Sequence, residues 1–236
     1  MLAPDLSLNR DAAKARRPLA PRWASQMTLL RFTTLFLAFN CSWAFGQEGI
    51  PQLPAAARSE VFRHCPSFSD VAEVAIGDIN GDGLDDVAAI IQCVENGSER
   101  NKIVVLTSTA DKRFVFEVES ASWEPHMRRN EYIGIEKKTI QITASTSSYT
   151  DYSGTLYKFL YRSGAFTLIG LEYSEGQIGD GGGSGISANF LTNKLIAWSK
   201  NSKGARHESK GKLKSDYKIQ LRKFNLEEAV DAQSLR

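Results

Sequence analysis

Residues 78–86 read Asp-Ile-Asn-Gly-Asp-Gly-Leu-Asp-Asp, with oxygen-bearing side chains at alternate positions around two glycines. Four acids in nine residues repel one another, so an ordinary turn has no use for them. The flanks are strand-like. Residues 71–76 are mostly small and β-branched, and residues 87–91 form a continuous apolar run that ends just before Gln92 and Cys93. A strand-loop-strand hairpin over 71–93 follows, with Gly83 permitting the sharp turn.

Such a loop suits a hard divalent cation, which takes roughly six to eight oxygen ligands. Asp78, Asn80, Asp82 and Asp86 offer side-chain oxygens, and the Leu84 carbonyl offers one from the backbone. Counting from Asp78, position twelve is Ala89, where a helix-loop-helix calcium site needs a bidentate Glu. A helical calcium hand is therefore excluded. The segment VAEVAIGDINGDGLDDVAAII resembles the FG-GAP or VCBS type of repeat over about twenty residues. That resemblance implies a calcium ion held by Asp78, Asn80, Asp82, Leu84 and Asp86, while Asp85 matches no ligand position. The competing reading is a solvated acidic turn, because Asn-Gly and Asp-Gly are common hairpin turns without metal.

Residues 27–46 carry Arg31, an apolar core over 32–39, and small residues at Ser42, Ala44 and Gly46. This is the pattern of an export signal, with Met27 a better start than Met1, so a periplasmic or secreted protein is expected. The apolar run falls short of the roughly 20 residues that cross a bilayer, and no transmembrane segment is expected in the mature chain. Asn40 before Cys41 argues against lipid attachment. Cys65 and Cys93 then remain as an even pair that brackets the acidic loop, and an oxidising compartment favours a bridge between them. Two buried thiols are the alternative.

Residues 1–46 hold six of the 29 basic side chains and two of the 27 acidic ones, which leaves a net charge near −2 on residues 47–236. That balance gives no reason to expect nucleic-acid binding. Charge is unevenly spread, because residues 194–223 hold ten basic side chains and two acidic ones. A basic loop is expected over 200–215, where Lys203, Arg206, Lys210, Lys212 and Lys214 could meet an acidic envelope polymer or another exported protein. A solvated hairpin tip is the bland alternative.

The fold class expected is mainly β, a single antiparallel domain over 47–236 with the calcium hairpin and few short helices. Further strands are predicted at 103–107, 113–119, 132–135, 139–143, 156–161 and 166–172, separated by turn signals such as Ser163-Gly164. Residues 195–199 and 217–221 are expected to form a hairpin across the basic loop. A short helix is predicted over 54–62, and Asn225 with Glu228 makes a weak capping box for a C-terminal turn. A propeller is excluded because the aspartate loop occurs once. The glycine run 179–185 reads as a flexible loop, since Ile186 stands where a phosphate loop needs Lys.

Catalytic signals are sparse. His64, His126 and His207 have no zinc-ligand spacing, and no nucleophile elbow occurs. Glu117, Glu119 and Glu172 could work as an acid and base only if the fold gathered them. The reading is an exported calcium-binding β module that works by binding; the alternatives are an exported hydrolase with an acidic pair and a periplasmic inhibitor or immunity protein.

Overall fold

The computed structural model describes residues 52–214, 217–228 and 235. The expected export segment at 27–46 and the choice of start lie outside them. The described part opens on α1 (Ala55–His64), where good helix formers follow Pro54 and the buried Ala57 and Val61 stand one turn apart. Four strands come next: β1 (Phe68–Gly77), β2 (Asp86–Glu95), β3 (Ser98–Ser108) and β4 (Phe114–Glu119), paired antiparallel in chain order. Seven more make a second antiparallel sheet, also in chain order. These are β5 (Arg129–Glu136), β6 (Thr139–Ser147), β7 (Asp151–Arg162), β8 (Ala165–Gln177), β9 (Gly183–Asn189), β10 (Lys194–Lys200) and β11 (Arg206–Lys212). The described part is thus mainly β, as the sequence predicts.

The burial pattern explains why 87–91 shows no alternation. One face of the first sheet buries Val87, Ala89, Ile91, Val104 and Leu106 against Ala57 and Val61 of α1. The other face buries Ala88, Ile90, Ile103 and Val105 together with Ile133, Ile140, Ile142 and Phe159 of the second sheet. A strand covered on both faces reads as a continuous apolar run. Among the described residues the second sheet has a single covered face, so β7 alternates: Tyr157 and Phe159 are buried while Lys158 reaches Glu172 on the outer face.

Tight turns connect the strands. Asn96-Gly97 and Ser163-Gly164 both have positive φ at each central residue, the geometry that matches strand twist in two-residue hairpins. Lys137-Lys138 adopts the same conformation with φ 50° and 64°, a turn no composition signal announces. Between the sheets, Glu131 accepts hydrogen bonds from Arg129 Nε at 2.7 Å, Trp123 Nε1 at 3.1 Å and Asn101 Nδ2 at 3.1 Å. This buried polar knot spans both sheets, because Asn101 lies on β3 and Glu131 on β5.

Two expectations need correction. Residues 195–199 do pair, but with β11 and not with 217–221: Ile196 lies opposite Lys210 and Trp198 opposite Glu208. The stretch 217–221 instead bridges to β8, where the Leu168 amide donates to the Ile219 carbonyl at 2.8 Å. Behind it, Leu221, Phe224 and Leu226 are buried, with Phe224 edge-on to Tyr157 and Phe159. The apolar side chains of this segment close the core, a larger gain than an edge position would offer. The expected loop at 179–185 is likewise shorter, since Gly183–Gly185 open β9.

Asn225 forms an Asx turn, its Oδ1 accepting from the Glu227 amide two residues on, in place of the predicted capping box with Glu228. No described helix is long and apolar enough to cross a membrane.

Candidate functional site

The acidic loop lies between β1 and β2, held from below by Ile79, which is buried in the core shared by the two sheets. An isoleucine within a polar run is the local anchor. Asp86 does the rest: fully buried, it accepts from the Ile79 amide at 2.9 Å through Oδ2 and from the Ser108 amide at 2.8 Å through Oδ1. One carboxylate therefore ties the start of the loop to its end and to the end of β3.

Of the remaining predicted ligands, Asn80 and Asp82 are exposed, and Asp78 and Leu84 are half-buried. Asp78 accepts from the Gly81 and Gly83 amides, Asn80 Oδ1 from the Asp82 amide at 2.9 Å, and Asp82 Oδ1 from the Leu84 amide at 2.8 Å. Asn80 also donates to Asp82 Oδ2 at 3.0 Å. Gly81 and Gly83, with φ 91° and 85°, let the chain fold back so that these amides reach the side chains. Lys138, from the β5–β6 turn, brings its ammonium to 2.6 Å from where a Cβ on Gly81 would stand. That turn was not legible as a neighbour of the loop.

The donor set fits a calcium ion by chemistry, since Asp78, Asn80, Asp82, Asp86 and the Leu84 carbonyl are all hard oxygens. Among the described residues no group of three or more His, Cys, Asp or Glu side chains is drawn together at metal-holding distance. The loop oxygens are turned to their own amides, and each retains a lone pair.

Cys65 and Cys93 form the disulfide, with Sγ–Sγ 2.06 Å and a sequence separation of 28. It joins the end of α1 to β2, directly behind the hairpin. Close by, Lys102 is nearly buried on β3 and pairs with Glu95 at 2.9 Å and Glu119 at 3.5 Å. Hydrogen bonds from Lys102 and then Ser122 hold the Glu95 carboxyl below its ordinary range.

The basic segment is not one loop, as was expected over 200–215. Asn201 Oδ1 accepts from the Lys203 and Ala205 amides at 3.0 Å, and Gly204 at φ 83° completes the turn. Lys203 sits in that turn. Arg206, Lys210 and Lys212 then lie on β11 and Lys214 follows it, all exposed. An edge strand exposed on both faces is held by backbone bonds and needs no apolar alternation, so composition alone made it resemble a loop. Arg206 pairs with Glu208 at 2.9 Å and stands 4.8 Å over the Trp198 ring. That ring lies against Gly185, which is why glycine is needed there: a Cβ would come within 2.5 Å of it.

The histidines and the three acids do not converge. His64 stacks on Phe116, His126 accepts from the Arg128 amide, and His207 lies on β11. Glu117 and Glu119 are on β4 while Glu172 is on β8, where it pairs with Lys158. The chain matches no protein-family model, no curated protein and no solved structure.

Proposed function

We propose that this chain is an exported β module that binds calcium at residues 78–86 and works by capturing an acidic partner, an envelope polymer or another exported protein, on its basic edge. The observation that carries the reading is the loop itself: Asp78, Asn80, Asp82 and the Leu84 carbonyl are hard oxygen donors on a hairpin fixed by buried Ile79 and by the buried fifth donor, Asp86. Asp78, Asn80, Asp82, Asp86 and Leu84 would hold the ion. Calcium supplies positive charge that offsets the crowded carboxylates and stiffens the hairpin end. The resemblance of this segment to FG-GAP and VCBS repeats supports the same assignment, and a bridge that needs an oxidising compartment is consistent with export.

Partner capture is assigned to Lys203, Arg206, Lys210, Lys212 and Lys214, because they cluster at one end of the long sheet while the rest of the mature chain is acidic. Such asymmetry steers encounters with acidic surfaces. Affinity capture from envelope extract, with calcium or with chelator, tests the reading. Wild type should retain a partner, and replacing the five basic residues by Ser should weaken retention by slowing association, with the melting temperature held within about a degree. Unchanged retention returns the basic residues to the role of a solvated surface.

A further inference from the structure

We infer, building on the binding reading above, that the free edge of β11 takes an extended acidic segment of a partner protein as an added antiparallel strand. Among the described residues, β11 is the last strand of the seven-stranded sheet and pairs on one side only, with β10. All seven of its residues are exposed, so the backbone groups of its other edge are open to pairing.

Side-chain placement selects the occupant. Residues alternate across a strand, and the register with β10 puts Arg206, Glu208, Lys210 and Lys212 on the face of Trp198 and Ile196. His207, Ser209 and Gly211 fall on the opposite face, beside an open cleft also lined by Leu195 and Ala197. Arg206 is engaged by Glu208 and Trp198, which leaves Lys210 and Lys212 with no ion pair among the described residues. A second copy of β11 fully overlapped on this edge would set Arg206 opposite Lys212 at both ends and bring together two strands that each carry three basic side chains against the single acid Glu208, so net charge opposes self-association. A strand with Asp or Glu at every second position meets Lys210 and Lys212 directly and turns its other side chains, small or apolar, to the cleft.

The test uses a fluorescent peptide alternating Asp with Val, two versions N-methylated on alternate residues, and the folded mature chain, read by anisotropy. In an antiparallel pair only alternate amides point to the neighbour. The parent should bind, one methylated version should lose about tenfold or more in affinity, and the other should stay near the parent. Lys210→Glu with Lys212→Glu should abolish binding and admit an alternating Lys-Val peptide instead. Equal binding by both methylated peptides would overturn strand addition while leaving electrostatic capture standing. No peptide binding alongside undiminished, β11-dependent capture from extract would also overturn it, and loss of both would remove the binding reading as well.

Discussion

Asp82 and Asp86 belong to the same acidic run yet hold different things. Asp86 is buried and satisfies two backbone amides, whereas Asp82 is exposed and bonds only within the loop. Asp86→Ala leaves both amides without acceptor, and hydrogen bonds to a charged group contribute about 1.5–3 kcal/mol each. Its urea midpoint should fall sharply with calcium or without it. Asp82→Ala should remove only the calcium-dependent part of stability, so chemical denaturation in calcium and in chelator separates the two roles. Gly185 is a second single-residue constraint. A Cβ there would stand 2.4 Å from the Tyr173 carbonyl and 2.5 Å from the Trp198 ring, so Gly185→Ala should cost about 1–3 kcal/mol and shift tryptophan fluorescence.

At the scale of elements, the Cys65–Cys93 bridge closes a loop containing all of β1 and the acidic turn. Chain entropy assigns such a loop about 3.5 kcal/mol, so Cys93→Ser should lower the melting temperature, and both thiols should resist alkylation until reductant is added. At the end of β2, Glu95 is an acid-sensitive residue. Its folded pKa lies below the unfolded value through Lys102 and Ser122, so its contribution is present above the unfolded value, near 4.3, and is lost as pH falls through the folded one. Denaturation midpoints of wild type and Glu95→Gln should therefore differ near neutrality and converge in acid. A constant difference across that range would assign Glu95 a packing role instead.

For the whole molecule, two meanders share a core while α1 covers the outer face of the smaller sheet. The acidic loop is mounted on that shared core through Ile79, so ion binding should be felt as global stability. At free calcium about 100 times a dissociation constant in the tens of micromolar to about a millimolar range, linkage gives about 2.7 kcal/mol. The melting temperature should rise by roughly 5–10 °C in calcium over chelator, and equal melting would make the loop an ordinary turn.

Local chemistry was legible in the sequence because it is carried by neighbours along the chain. The hairpin over 71–93, the Ser163-Gly164 turn and the alternation of Tyr157, Lys158 and Phe159 follow from period and turn residues, and the structure has each of them. The disulfide was legible as a pair, though its packing against α1 was not. Tertiary structure alone decided what covers each surface. It buried Asp86 while leaving Asp82 exposed, brought Lys138 to Gly81 across more than fifty residues, and joined Glu131 to Trp123 and Asn101. It also made a strand of the polar sequence RHESKGK and sent 217–221 to β8. Backbone pairing at a sheet edge carries no side-chain signature, and the closing of a core depends on which apolar segment reaches the gap; neither is written in local spacing.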